Sequence, residues 1–256
     1  MNTEMDLRHD EIHLYFTCPT EISDAGLLRQ YESLLSGDER QQMARFYYDR
    51  HRHQYLLTRA LIRTGLSRYY DVAPSEWIFT KSAYDKPEVA GPDLHPVIRF
   101  NISHSKDLVM CGFARNFDIG VDVEDCQRTT KAAFTRLSSY FSAQEIKDLT
   151  DLPSEARQQR FFDYWTLKES YIKARGAGFS IPLSSFSFEF ERDKLTGFNI
   201  EADLNDNPKA WQFWRISMPQ NHRVAIAVNS GDTRFTFKAS NTIPLKSSEP
   251  VRLEFL

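Results

Sequence analysis

Along this chain, stretches of alternating or helically spaced apolar residues are separated by Gly, Pro, Asp and Ser, and the resulting pattern runs twice in the same order. Alternation at 12–16 predicts a short strand, and helical spacing over 36–70 predicts a helical region closed by Pro74. Strands are expected next at 77–80, 97–102 and 108–114. The order then restarts with a strand at 118–124, two helical stretches within 130–175, and strands at 186–190, 211–218 and 223–228. No literal repeat accompanies the pattern. Two successive strand, helix, three-strand units nevertheless predict an α+β fold built as a pseudo-twofold pair of similar lobes in one chain. The expected division is 1–115 for the first lobe, 116–228 for the second, and 229–256 for a polar tail packed peripherally. A cleft where two lobes meet is the expected place for a ligand.

The 256 residues include 32 basic and 35 acidic side chains, a net charge of −3, and 41% are hydrophobic. That supports a sizeable core and excludes collagen-like and wholly disordered chains. The uncharged run at 108–114 is far shorter than the roughly 18 apolar residues of a membrane-spanning helix. The acidic N-terminus lacks the basic-then-apolar order of a secretory signal, so a cytoplasmic protein with no membrane partner is expected. Cys18, Cys111 and Cys126 are odd in number and share no CxxC spacing, which argues for reduced thiols over disulfides or zinc. The acidic balance argues against a nucleic acid partner and makes any basic site local.

Four constellations carry candidate chemistry. In Ile119-Gly120-Val121-Asp122-Val123-Glu124 an acid stands at every second position of a strand pattern, so Asp122 and Glu124 project from one face within reach of one ion. Hard oxygen donors without His or Cys favour Mg²⁺ over zinc; a solvated strand face is the competing reading. In Trp165-Thr166-Leu167-Lys168-Glu169-Ser170-Tyr171-Ile172-Lys173, Trp165, Glu169 and Lys173 share one helical face. An isolated surface pair has the same spacing, but the Ala174-Arg175-Gly176-Ala177-Gly178 that follows offers a helix end that a ligand can approach. Phe100-Asn101-Ile102-Ser103-His104-Ser105 closes a strand with donors suited to an anion, or with a plain Ser turn; Ser103 and His104, adjacent and without a G-x-S-x-G elbow, do not make a hydrolase triad. Residues 40–68 hold Arg40, Arg45, Arg50, Arg52, Arg59, Arg63 and Arg68 against Asp49 alone. Arg52, Arg59 and Arg63 fall on one helical face, either as a phosphate-binding set or as a solvated surface, and Lys81 and Lys86 add two more cations. Acids for Mg²⁺, cations for a polyphosphate and a helix bearing Glu and Lys together predict metal-assisted phosphoryl-type transfer. The P-loop, kinase and G-x-G-x-x-G motifs are absent.

The ordered set Lys86-Pro87, Phe100 to Ser105, Ile119 to Glu124, Phe141-Ser142-Ala143-Gln144-Glu145 and Trp165 to Lys173 closely resembles the surfactin-synthetase-activating type of 4′-phosphopantetheinyl transferase, over residues 10–228. The resemblance implies a pseudo-twofold pair of α+β lobes. It also implies the reaction, in which the phosphopantetheine arm of coenzyme A moves to a serine of an acyl or peptidyl carrier protein and adenosine 3′,5′-bisphosphate is released. By that resemblance Asp122, Glu124 and Glu169 hold Mg²⁺, Lys173 contacts the transferring phosphate, and Glu169 or a water beside it takes the serine proton. Ser103 and His104 bind the 3′-phosphate side of coenzyme A, with Lys86 and Lys81 nearby, and Glu145 occupies the position of a further acid. Three positions depart from the pattern. Asp85 stands where Gly usually precedes the lysine-proline pair, and Glu39 and Gln42 stand where relatives often carry a basic residue, for which Arg40 and Arg45 are the expected substitutes. One chain with both lobes implies that a monomer can be complete. The carrier-docking surface is not legible in the motifs, and the aromatic and apolar residues at 134–141 are a candidate for it. A non-catalytic coenzyme A-binding module would have no need of the three acids together, whereas a metal-dependent hydrolase would use them on water.

Overall fold

The computed structural model describes residues 5–82, 84, 86–127, 136 and 138–256. Asp85 and Phe134 lie outside the described residues. The chain divides into two compact units, Met1–Phe117 with Arg234–Arg252, and Asp118–Thr233 with Leu253–Leu256.

In the first unit β1 (Glu11–Thr17) is followed by α1 (Ala25–Leu34), α2 (Gly37–Ala44), α3 (Asp49–Leu66), β2 (Ile78–Lys81), β3 (Pro87–Gly91), β4 (Ile98–Ser105) and β5 (Leu108–Arg115). The second unit holds β6 (Ile119–Asp125), α4 (Ala143–Asp151), α5 (Ser154–Arg175), β7 (Phe186–Glu191), β8 (Lys194–Ile200), β9 (Trp211–Met218) and β10 (His222–Asn229). Three strands lie in the tail: β11 (Thr236–Ile243), β12 (Ser247–Val251) and β13 (Glu254–Phe255).

The main sheet of the first unit runs β12-β11-β1-β5-β4, and β2 and β3 form a separate hairpin. Its core joins Leu61, Ile62 and Leu66 of α3 to Phe100 and Phe113 of the sheet. The expected helical region is two helices: the α2 cap is a reciprocal box in which Ser36 accepts from the Glu39 N–H and Glu39 accepts from the Ser36 N–H, and a new helix begins at Asp49. Helix α1, which the sequence pattern did not predict, has Tyr31 as its only fully buried residue.

The tail corrects an expectation. It is not peripheral, because β11 pairs in parallel with β1 from Glu11↔Thr236 to Phe16↔Asn241 and so lies inside the sheet. A polar stretch can occupy that place because backbone groups, not side chains, make the ladder.

The second unit has the sheet β13-β9-β10-β6 with a separate β7-β8 hairpin. Its 22-residue helix α5 ends at Gly176, which takes a left-handed conformation (φ 62°). The helix approaches β6 so closely that a Cβ on Gly120 would lie 1.9 Å from the Ser170 carbonyl oxygen and 2.5 Å from the Ala174 nitrogen. Only glycine permits this contact. On its far side α5 is held by Lys168, which is fully buried and donates to the carbonyls of Leu183 (2.7 Å) and Phe186 (2.6 Å) while pairing with Glu145 at 2.8 Å. These three acceptors use all three protons of the ammonium. Burial pulls the Lys168 ammonium down to about 8 against the attraction of Glu145.

Candidate active site

The acidic strand motif and the Trp165 to Lys173 helix motif meet in the second unit, because α5 packs on β6 at Gly120. Asp122 is buried on β6 and Glu124 half-buried two residues on, where strand alternation keeps them on one face. From α5, Trp165, Glu169 and Lys173 are half-buried while Lys168, Ser170 and Tyr171 turn into the interior. The isolated surface pair is therefore not what forms. Lys173 Nζ instead donates to Asp122 Oδ1 at 2.6 Å, across 51 residues of sequence, and Trp165 Nε1 donates to Glu124 Oε1 at 3.1 Å.

The electrostatics of this cluster are those of acids short of positive charge. Burial, then the neighbouring Asp122, pushes the Glu124 carboxyl up to about 7, with the Trp165 hydrogen bond and Lys173 pulling the other way. Burial and Asp122 likewise push Glu169 up to about 7 against Lys173. Glu169 Oε1 is buried and makes no hydrogen bond among the described residues. A hard divalent cation suits this set, because it would supply the missing charge and a partner for that oxygen without needing His or Cys. As the side chains stand, however, no three His, Cys, Asp or Glu side chains among the described residues converge on a point that would hold a metal ion. The Lys173 ammonium on Asp122 supplies part of that charge instead.

Glu145, whose role the motifs left open, is not part of this cluster. Besides Lys168 it accepts from the N–H groups of Phe188 (3.0 Å) and Ser142 (3.0 Å), which makes it a buried tie between α4, α5 and β7. Of the candidate docking stretch 134–141, residues 134, 135 and 137 lie outside the described residues. Phe141 is 2% exposed, its ring stacked at 5.6 Å on Phe161, and it belongs to the core, whereas Tyr140 is exposed.

In the first unit Ser103 and His104 lie within β4, whose ladder with β5 continues to Ser105↔Leu108, so the expected turn begins later. Ser103 is buried and His104 exposed, on opposite faces of the strand. Lys81 ends β2, and the Ser82 N–H donates to the Lys86 carbonyl at 2.9 Å. Arg40 and Arg45 are exposed, on and just after α2. The proposed trio of Arg52, Arg59 and Arg63 does not form a phosphate face. Arg59 and Arg63 are buried against Glu39, and Arg63 also donates to the carbonyls of Pro74 (2.9 Å) and Trp77 (3.0 Å). Arg52 is taken by Asp49 and the Phe46 carbonyl. Helical spacing put these arginines on one face but did not show that the face looks inward.

Two α+β units, the second carrying a buried acidic strand against a Glu- and Lys-bearing helix, define the class of protein, and comparison with known proteins gives the family. The family model described as "4'-phosphopantetheinyl transferase superfamily" matches residues 118–227, and "4'-phosphopantetheinyl transferase, N-terminal" matches 25–114. The chain is 35% identical over 203 residues to 4'-phosphopantetheinyl transferase Sfp of Bacillus subtilis (strain 168), covering 79% of this chain and 86% of the relative. It is 32% identical over 224 residues to 4'-phosphopantetheinyl transferase HetI of Nostoc sp., covering 88% and 90%. The chain belongs to the 4′-phosphopantetheinyl transferase family.

Proposed function

We propose that this protein transfers the 4′-phosphopantetheine arm of coenzyme A to a serine hydroxyl of an acyl or peptidyl carrier protein and releases adenosine 3′,5′-bisphosphate. The observation that carries the reading is the meeting of Asp122, Glu124, Glu169 and Lys173 where α5 packs on β6, in a chain of this family. The carrier oxygen forms a bond to the β-phosphorus, the pyrophosphate P–O bond breaks, and the serine proton leaves to a base. Asp122, Glu124 and Glu169 would hold Mg²⁺, which when bound offsets the charge of the pyrophosphate. Lys173 is part-exposed beside Asp122 and donates to the transferring phosphate. Glu169, or a water beside it, takes the serine proton.

In the first unit, Arg40, Arg45, Lys81, Lys86, Ser103 and His104 are the residues assigned to coenzyme A. Strand β4 is an edge of its sheet, so a ligand lying along that edge can meet side chains of both faces. The same reading makes the protein a cytoplasmic monomer. Among the described residues no helix is long and apolar enough to cross a membrane.

The test is intact-mass analysis of an apo carrier incubated with the protein, coenzyme A and Mg²⁺. The carrier gains one phosphopantetheine unit, and a chelator prevents the gain. Asp122→Ala and Glu169→Ala lower the transfer rate by roughly a hundredfold or more while melting cooperatively. Near-normal transfer by either variant at limiting Mg²⁺ rules out the ligand assignment.

A further inference from the structure

The two carboxylates of β6 are held by different kinds of donor. Asp122 meets the Lys173 ammonium, a cation that must share the carboxylate with any metal. Glu124 meets the indole N–H of Trp165, a neutral group that donates and cannot accept. Such a donor can fix a carboxylate's rotamer without competing with a cation for the site. The ring is itself fixed, lying nearly parallel to Phe161 at 6.1 Å (22°) and beside Phe141 at 6.4 Å. Trp165 is also one turn of α5 before Glu169, so a single helix face supplies one acid directly and orients another on the neighbouring strand. Three like-charged carboxyls brought together repel one another, and the indole hydrogen bond opposes that repulsion at Glu124.

We propose that Trp165 is a positioning residue, whose indole N–H fixes the rotamer of the Glu124 carboxylate within the acidic cluster and so raises the affinity of that cluster for a divalent cation. The proposal rests on the cation site described above. It attributes to Trp165 an effect on cation affinity that reaches the cation through Glu124.

The experiment measures Mn²⁺ binding to the isolated protein by electron paramagnetic resonance, and the Mg²⁺ dependence of transfer, for wild type, Trp165→Phe, Glu124→Ala and the double variant. Trp165→Phe weakens Mn²⁺ binding by about 10-fold or more, the scale on which outer-shell partners act, and saturating Mg²⁺ restores most of the transfer rate. In the Glu124→Ala background the same substitution adds no further loss, because the residue it acts through is gone. The ring borders a cavity of about 420 Å³ lined by Tyr140, Ile181 and Leu183, so a smaller ring meets open space there. Replacing Trp165 by benzothienylalanine keeps the bicyclic shape and removes only the N–H, and it gives the same loss even if the phenylalanine variant folds poorly. Unchanged Mn²⁺ affinity in the benzothienylalanine protein, or equal losses in the presence and absence of Glu124, overturns the proposal. A wild-type protein that binds no divalent cation overturns instead the site reading on which it rests.

Discussion

Glu39 is an acid where the family resemblance leads one to expect a base, and its surroundings show how this chain accommodates it. Glu39 is 8% exposed, and its carboxylate accepts from Arg59 Nε at 2.6 Å and from Arg63 at 2.7 Å. Burial pushes the carboxyl up, but Arg59, the Ser36 N–H and Arg63 outweigh it and hold Glu39 below its usual 4.5. As pH falls below about 4.5 the unfolded chain therefore takes up this proton before the folded one does. The stabilisation is complete above that pH and is lost as pH drops through the lower folded value. Glu39→Gln leaves two buried guanidinium groups without their counter-charge and should cost about 3 kcal/mol or more near neutral pH. Its melting temperature should then fall less steeply than that of the wild type between about pH 5 and 3. Melts at several pH values check both, and parallel curves for the two proteins would show that Glu39 does not carry the acid sensitivity. An Arg-rich helix was legible in the sequence. Its engagement with Glu39 was not, since the partners lie 20 and 24 residues apart and only the return of α2 against α3 brings them together.

At the scale of elements, the contact of α5 with β6 decides the site. Gly120→Ala sets a methyl group against backbone atoms that cannot rotate away, so β6 and α5 must separate. A loss of about 3 kcal/mol is expected, at the upper end of the overpacking range. A fall in divalent-cation affinity should accompany it, because Asp122 and Glu124 move relative to Glu169 and Lys173. Urea denaturation and a cation titration check this, and a variant with wild-type stability would mean that the helix does not bear on the strand here. The other face of α5 depends on Lys168. Lys168→Met should cost about 3–5 kcal/mol by leaving Glu145 buried and unpaired. Adding Glu145→Leu should recover only part of that, since the Phe188 and Ser142 N–H groups then lose their acceptor. Full recovery in the double variant would show that those N–H groups find partners elsewhere. Periodicity identified β6 and α5 and their polar faces. It missed β3 and β8, whose sequences, Pro87-Glu88-Val89-Ala90-Gly91 and Lys194-Leu195-Thr196-Gly197-Phe198-Asn199-Ile200, lack a sustained apolar run, and which are stabilised by their hairpin partners β2 and β7.

At the scale of the whole molecule, the chain's last segment returns to its beginning. Strand β11 runs along β1, β12 pairs with β11, and β13 pairs with β9 in the second unit. A chain ending at Thr233 loses three strands and bares one backbone edge of β1 from Glu11 to Phe16, in a strand whose seven residues are all buried. Such a truncation should aggregate or melt well below the intact protein, as size-exclusion chromatography and circular dichroism would show; a cooperative melt at the wild-type temperature would make the tail dispensable.

The sequence by itself determined the family, the two-unit α+β plan and the residues of the acidic cluster. These depend on local order and spacing: an acid at every second strand position, Trp, Glu and Lys one helical turn apart, and motifs in a set succession. The tertiary structure alone decided which polar groups meet. It gave Lys173 to Asp122 and the Trp165 indole to Glu124, turned Arg59 and Arg63 inward to Glu39, made Glu145 a buried anchor, and placed the tail beside β1. The physical reason is that periodicity tells which face a side chain occupies, whereas its partner across tens or hundreds of residues is chosen by packing, by the cost of burying an unpaired charge and by backbone pairing, none of which leaves a local pattern.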